Sequence, residues 1–518
     1  MPATVQDFLA AGYFPKELPP SFSTVSYASA VRNGTPPTGD HPRVARMCSH
    51  YFGRPGSLRR KLGIPNPVHF RLLAETLANE WPTISSHIDK SLISASRPTA
   101  SAVVRSVVPK LMWNTMISAR MTNSAKASNI LKADINQFYG SLYTHSIPWA
   151  LHTKEVAKNN RKSSLLGNLI DEQVRNMQDG QTVGIPIGPD TSLVIAEILL
   201  SAIDVKLQNS DLATSACRLI DDFEFGVTDI SSGDSLLADL QHQLSEYELV
   251  LNPKKTKLLQ APRPFASEWI HELRRFRFRT SRNNQKYDLL AYYDSVLRLA
   301  RAFPEASVVK YGMSRLRPVR IHPDNWPMHQ LFLRQAIVAE PGVFPETISQ
   351  MIRFQAAGNP VDTGELGDII GQHIVKHAKQ GHGNDVAWAL WTALAFRVPL
   401  PETVQASALK MDDSVVALLL LDAESQNLLA NSIKRSRWSS AMTKNGLYRD
   451  QWLLSYEARH KRWRNSKGGG SHIEKDVQFG WMHDNDVSFY TPVSQPVSPP
   501  VIAVAALMEQ EAFGFSSG

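Results

Sequence analysis

Cysteine is almost missing from this chain. Of 518 residues only Cys48 and Cys217 are cysteines, which excludes a disulfide framework and a cysteine-based zinc site and favours an intracellular setting. Long apolar runs are missing too. Val415–Leu421 falls far short of the roughly 20 residues that a membrane-crossing helix needs, so no membrane partner is expected. Met1–Pro20 has neither a basic start nor a long apolar stretch, so no signal peptide is expected and the cytoplasm is the expected location. Acid is in short supply: 56 Lys and Arg against 48 Asp and Glu leave a net charge of +8. That balance suits a polyanionic partner such as nucleic acid. No internal repeat of firm period is present.

Hydrophobic residues make up 43% of the chain and charged residues 20%, the proportions of a soluble globular protein. The length accommodates two or three domains with proper cores.

One stretch organises the rest: Arg218-Leu219-Ile220-Asp221-Asp222-Phe223. An apolar run of this kind reads as a buried strand or hairpin. Ionised carboxylates inside it are costly unless cations or hydrogen bonds compensate them. Paired acids at a hairpin tip would hold divalent metal at the floor of a cleft; a plain polar turn is the competing reading.

The remaining segments follow in chain order. Residues 1–45, rich in Pro, Ser and Thr with an apolar stretch at Phe8–Tyr13, read as an arm that packs on another element or stays mobile. Arg54–Pro67 holds three consecutive basic residues, Arg59, Arg60 and Lys61, before a Pro-Asn-Pro break, and suits either phosphate gripping or a solvated turn. The spacing of Phe70, Leu73, Leu77 and Trp81 predicts a helix over His69–Trp81. Residues 97–133 scatter Arg105, Lys110, Arg120 and Lys126 among Val, Ser and Asn, as extended strands lined with cations would. The apolar strand Ile130–Ala133 runs straight into Asp134, with Phe138 and Tyr139 after it. Asp134 either aims a metal ligand into a cleft or caps a helix starting at Ile135. Lys154–Val174 reads as a polar helical region. Gly184-Ile185-Pro186-Ile187-Gly188-Pro189 is a rigid, close-approach loop opening into an apolar helix, Leu193–Ile203, whose first N–H groups either bind an anion or pack against a flat ring, or else form an ordinary junction capped by Thr191 or Ser192. After the paired acids, Leu236–Leu249 reads as an amphipathic helix. Leu251-Asn252-Pro253-Lys254-Lys255-Thr256-Lys257 then leads into a strand, its lysines facing either solvent or a phosphate chain.

Together these segments resemble the fingers and palm of a reverse transcriptase. Asp134 to Tyr139 looks like that family's first catalytic motif, Gly184 to Pro189 its second, Ile220 to Phe223 its third, Leu251 to Thr256 its fourth, and Arg60 to Pro67 its fingers motif. Order and spacing agree over roughly residues 45–260. Two positions depart from the common pattern. Leu219 stands where an aromatic residue is usual, and Ile187 where Gln is usual. Both departures, with Tyr143 to Trp149, are similar to the abortive-infection and defence-associated bacterial enzymes.

The resemblance implies a fold class, α+β, with a right-hand polymerase palm and fingers followed by an all-α helical array in place of a thumb. It implies an RNA-directed, or template-independent, DNA polymerase in bacterial antiviral defence. Its substrates would be dNTPs, its template RNA (a non-coding RNA encoded nearby is natural), and its product DNA. Asp134, Asp221 and Asp222, with the Ile135 carbonyl, would ligate two Mg²⁺ ions, for which Mn²⁺ is an accepted substitute. Arg60 and Lys61 would steady the triphosphate. Tyr139 would clash with a ribose 2′-hydroxyl, the group that distinguishes RNA from DNA, while Phe138, grouped with it at the dNTP site, is expected to pack in the palm core. Gly184, Pro186 and Gly188 would shape the floor under the templating pair. Lys255 would neutralise pyrophosphate, although an ordinary surface lysine is the favoured reading of that residue. An RNA-dependent RNA polymerase, against which Tyr139 argues, and a catalytically silent RNA-binding scaffold, against which the intact acids argue, are the alternatives. The oligomeric state is left open, a homo-oligomer included.

In residues 261–283 Arg and Phe alternate, which suggests a strand whose basic face, with Arg274, Arg275 and Arg277, tracks a nucleic-acid backbone. Helical periodicity dominates from Lys286 onward: Tyr287–Ala302, Met328–Val338, Pro345–Gln355, Leu366–Lys379, Asp385–Phe396, Val415–Leu421 and Leu447–Trp463. His373, His377 and His382 are spaced like ligands, but satisfied histidines are the simpler reading. Tyr448, Trp452 and Tyr456 read as a core stripe. Basic residues over 434–467 suit nucleic acid. Lys467–Gly470 reads as a linker, Val477–Tyr490 as a packed segment and Pro492–Pro500 as a Pro-rich tail. The expected division is 1–45, an N-terminal arm; 46–265, fingers and palm; 266–470, the helical region; and 471–518, the C-terminal segment.

Overall fold

The computed structural model describes residues 3–53, 59–101, 105–109, 118, 120–122, 125–208, 211–261, 263–264, 266–467, 470–495 and 497. Arg54–Leu58 of the basic segment, Lys110, two glycines of the Lys467–Gly470 linker, residues 496 and 498–500 of Pro492–Pro500, and residues 501–518 lie outside these. A short antiparallel hairpin, β1 (Cys48–Gly53) with β2 (Arg59–Ile64), comes first among the strands, and a second one pairs β3 (Pro98–Ala100) with β4 (Val107–Pro109). The central sheet holds β5 (Asn129–Asp134), β6 (Ser215–Leu219), β7 (Asp222–Val227) and β8 (Lys257–Gln260). It is antiparallel, in the order β6-β7-β5-β8.

Side-chain alternation explains what the sheet does. Phe223, Phe225 and Val227 of β7 and Leu131 and Ala133 of β5 are buried in the core, with Phe223 and Phe225 stacked at 5.8 Å. The other face of the same two strands carries Asp134, Lys132, Asp222 and Glu224. Glu224 pairs with Arg120 (3.2 Å) and Lys132 (3.4 Å). Asp134 stands directly opposite Asp222 in the ladder. Helix Thr191–Leu207 is buried almost throughout, and helix Ile230–Ser245 buries Leu236, Leu240 and Leu244.

The residues after the sheet form helices, among them Arg282–Ala302, Trp326–Ala339, Phe344–Ala356, Thr363–Gln380, Gly383–Phe396 and Ser414–Ser425. Tyr448, Trp452 and Tyr456 are all buried, as a core stripe should be. The array is tied to the hairpin end of the molecule. Helix Gly383–Phe396 packs along β1, the Trp452 indole donates to the Ile64 carbonyl (3.0 Å), and the Asn66 amide donates to the Leu447 carbonyl (2.8 Å).

The N-terminal arm is packed. Tyr13 stacks on Phe70 at 4.1 Å and donates to the Pro65 carbonyl, and Phe22 bridges Tyr490. The Ser26 hydroxyl donates to the Ser488 carbonyl (2.7 Å) and accepts the Ser488 N–H (2.9 Å). Among the described residues no helix is long and apolar enough to cross a membrane.

Some expectations need correction. The Arg/Phe segment is not a strand. Glu268–Arg275 is a helix, driven by buried Trp269, Ile270 and Leu273, with acid in its first turn and Arg274 and Arg275 in its last. Arg277 lies beyond it and folds back on the Arg274 and Phe276 carbonyls. The expected helix His69–Trp81 is Pro67–Asn79, followed by a second helix from Trp81 whose Pro82 permits only a first-turn position. Helix Thr191–Leu207 is preceded by Asp190 rather than capped by Thr191 or Ser192. The Asp190 carboxylate is instead an ion pair with Arg105 and accepts the Ser106 N–H (2.9 Å) and hydroxyl (2.7 Å).

Candidate active site

Three carboxylates meet on the polar face of the sheet. Asp134 ends β5, and Asp221 and Asp222 form the tip between β6 and β7. Cross-strand pairing alone brings Asp134 opposite Asp222. The Ile135 N–H then donates to the Asp221 carbonyl (3.2 Å), which locks the end of β5 onto the tip. Asp134 therefore caps no helix: Ile135 bridges Leu251, and the next helix starts at Phe138. The Asn252 N–H donates to the Asp134 carbonyl (2.7 Å), and its amide donates to Asp134 Oδ1 (3.0 Å). Lys255 Nζ lies 2.7 Å from Asp134 Oδ2 with its side chain half exposed. Lys255 thus reaches into the cluster rather than lying flat on the surface.

These acids repel one another. Like charges directly opposite on neighbouring strands are unfavourable, and all three are largely buried. Burial, then the Asp134 charge, pushes the Asp221 carboxyl up to about 7. Burial, then Asp221 and Asp134, pushes Asp222 up to about 8. Lys255 opposes both shifts, and Arg60 opposes that of Asp221. Asp221 Oδ1 is buried with no hydrogen-bond partner among the described residues. A buried acceptor of this kind, inside an excess of negative charge, is what a divalent cation satisfies. The donor set, all carboxylate oxygen, fits a hard ion.

The tip is held from beneath by a network that sequence reasoning missed. Arg218 is fully buried. It pairs with Glu197 (2.8 Å) and Asp204 (2.6 Å), and it donates to the Ile220 carbonyl (2.9 Å). The Ser96 hydroxyl accepts the Ile220 N–H (2.7 Å) and donates to Glu197 (2.7 Å). Ser94 and Ser91 donate to Glu197 and Asp204, each at 2.6 Å. Burial works against the Glu197 charge, but Arg218 and the serine hydroxyls override it and hold that carboxyl below its ordinary range. At Asp204 burial wins over Arg218, and the carboxyl is raised. Ile220 needs this grip because its φ is +53°, a conformation that a β-branched residue adopts only under constraint. The available signal was two acids seven residues apart, Glu197 and Asp204, on one face of an otherwise apolar helix.

The other expected site residues divide. Tyr139 is almost fully buried, and burial followed by the Asp221 charge raises its hydroxyl well above the ordinary range. Its carbonyl accepts the Ile185 N–H (2.8 Å). Gly184 has φ +85°, and a Cβ there would stand 3.1 Å from the Gly140 carbonyl oxygen, so only glycine lets this loop lie against the Tyr139 turn. The Ile187 carbonyl accepts the Gly63 N–H (2.9 Å), which docks the Pro186 loop on β2. Arg60 is half buried and its charge reaches Asp221 and Tyr139. Lys61 alternates to the opposite face and is exposed, while Arg59 lies over the Tyr51 ring at 4.5 Å. Phe138 turns into the core at 2% exposure, so it backs Tyr139 rather than lining the cleft. Gly188 serves the arm: a Cβ there would stand 2.6 Å from Pro15 Cγ. Arg274, Arg275 and Arg277 belong to the helical region, where Arg274 donates to the Tyr311 hydroxyl (3.1 Å).

Residues 53–291 match the family model described as reverse transcriptase (RNA-dependent DNA polymerase). That span contains Arg60, Asp134, Tyr139, Gly184, Asp221, Asp222 and Lys255. No curated protein matches the chain. Among solved structures, apo telomerase from Candida tropicalis is similar at 12% identity and a TM-score of 0.31, with 74% of this chain and 69% of that one covered. Residues 53–291 are therefore a reverse transcriptase domain, the catalytic unit of an RNA-directed DNA polymerase, a nucleotidyltransferase.

Proposed function

We propose that Asp134, Asp221 and Asp222 hold two Mg²⁺ ions and that the site adds dNTPs to a growing DNA 3′ end on an RNA template. The observation that carries this reading is the meeting of the three acids on one sheet face, with an unsatisfied Asp221 oxygen among them. When bound, the ions act as Lewis acids that favour the deprotonated 3′-hydroxyl and neutralise charge on the leaving pyrophosphate. The three carboxylates fix where that positive charge sits. Asn252 and Lys255 hold Asp134 in the orientation that faces the tip. Arg60, from the hairpin, and Lys255 offer cationic groups to the triphosphate. Tyr139 and the Gly184–Pro186 loop close the side of the cleft that a ribose 2′-hydroxyl would enter. The Ile135 carbonyl is the further ligand in this reading.

The functional division that accompanies the proposal is 46–265 for fingers and palm, 266–470 for a helical region replacing the thumb, and 1–45 and 471–518 as flanking segments. The biological setting we propose is bacterial antiviral defence, supported by Leu219 and Ile187 at the two positions where the sequence departs from the common reverse transcriptase pattern. The test is Mg²⁺-dependent dNTP incorporation by the wild type, Asp221→Ala and Asp222→Ala. Loss in both variants is expected, and equal activity in all three overturns the assignment. Competition between dNTPs and NTPs separates this reading from RNA synthesis. Phage plating on cells carrying the wild type or Asp221→Ala checks the defence role, with protection by the wild type alone as the expected result.

A further inference from the structure

A second cluster of metal-binding side chains lies away from the catalytic acids, where the helical array meets the β1–β2 hairpin. Its members are His377, near the end of helix Thr363–Gln380, His382 in the turn that follows, and Asp385 in the first turn of helix Gly383–Phe396. All three are buried, and one donor atom from each lies within 4.8 Å of the others. His377 Nδ1 is 3.0 Å from His382 Nδ1, and His382 Nδ1 is 3.9 Å from Asp385 Oδ2. Four-coordinate zinc, with nitrogen and oxygen donors at about 2.0–2.1 Å, sets neighbouring donors about 3.3 Å apart, between those two spacings.

We propose that His377, His382 and Asp385 form a structural zinc site that clamps the helical array to the hairpin carrying Arg60. Two observations beyond the cluster itself point to an ion. The first is the space facing it: a Cβ on Gly53, the last residue of β1, would stand 2.7 Å from Asp385 Oδ2 and 3.0 Å from His382 Nδ1. The glycine leaves the donors uncovered by any side chain at that position. The second is His373, one turn before His377. Its ring centroid lies 4.2 Å from that of His377, and its buried Nε2 has no hydrogen-bond partner among the described residues. His50 is committed elsewhere, to Asp413 at 2.8 Å. With three protein donors, the fourth position falls to water.

The donor set selects the metal. Two imidazoles and one carboxylate suit zinc and its borderline neighbours, whereas Mg²⁺ demands oxygen donors and an octahedral shell. The mechanical role follows from the Gly53 N–H, which donates to Asp385 Oδ2 (3.2 Å). A cation fixing Asp385 would fix the end of β1, and with it the approach of Arg60 on the paired strand. The inference does not depend on the polymerase reading.

The test uses the full chain purified without a polyhistidine tag. Elemental analysis is expected to find close to one zinc per chain, retained in excess Mg²⁺. Chelation should lower the unfolding temperature, and added Zn²⁺, but not Mg²⁺, should restore it. Asp385→Asn and His382→Gln should each lose the bound zinc. Cobalt substitution of the wild type gives a measurement that no variant's folding can confuse: intense visible d–d absorption of four-coordinate cobalt is expected. Wild-type protein that holds under a tenth of an equivalent, both as purified and after exposure to Zn²⁺, overturns the proposal. So do variants that keep wild-type zinc, or a cobalt spectrum that is purely octahedral.

Discussion

The charge crowding at Asp221 makes a quantitative prediction for the metal-free protein. The perturbation is Asp221→Asn, which keeps the shape and removes the charge. In the folded chain the Asp221 carboxyl is raised from 3.8 to about 7. Between those values the folded state holds a proton that the unfolded chain has released. Stability therefore falls as pH rises through that window, and the full penalty stands above it. Three units correspond to about 4 kcal/mol at 1.36 kcal/mol each, an upper figure because water and small shifts relax it. With an unfolding entropy of about 2.1 cal/mol/K per residue, the whole chain loses about 1.1 kcal/mol per degree, so the expected gain is about 2–4 °C. The assay is thermal unfolding in chelator at about pH 8 and about pH 5, on either side of the raised value. Asp221→Asn should melt above the wild type at the higher pH and lose most of that advantage at the lower one. Mg²⁺ should stabilise the wild type at the higher pH and the variant far less. An offset between variant and wild type that is the same at both pH values would refute the reasoning, because charge could not then be its source.

Other expectations follow from the same geometry. Arg218→Met should cost about 3–5 kcal/mol in chemical denaturation, since it strands Glu197 and Asp204 in the core; a loss under about 1 kcal/mol contradicts the network's role. Tyr139→Ala should raise incorporation of NTPs relative to dNTPs in a competition assay, while dNTP incorporation persists. Lys255→Ala should slow incorporation by about 10²–10³-fold, the scale of one lost charge-stabilising donor.

The acidic tip was legible because acids inside an apolar run have few structural uses. The run Ile130 to Asp134 was legible for the same reason, and period-2 alternation explains why both acidic ends emerge on one face. Lys255 was harder. Three lysines after a turn look solvated, and only the fold shows that one of them reaches Asp134. The Arg218 network was out of view because Ser91, Ser94 and Ser96, Glu197 and Asp204 lie far from it in the chain, and serines carry no pattern of their own. The Arg/Phe segment misled because its alternation is only a few residues long. The apolar spacing of Trp269, Ile270 and Leu273 was the better guide there. His377 and His382 show the opposite bias: their spacing was visible, but Asp385 and the facing Gly53 acquire meaning only when the two helices and the hairpin converge.

The embrace between Phe22 and Tyr490, and between Ser26 and Ser488, bears on how the protein is made. Ribosomes deliver the first partner of each pair more than 450 residues before the second. Through nearly the whole of translation Phe22 and Ser26 wait without these partners, although Tyr13 meets Phe70 early. A nascent chain stalled before residue 487 should thus be a poor folder and a ready client for chaperones, because these partners of the arm arrive only with that segment.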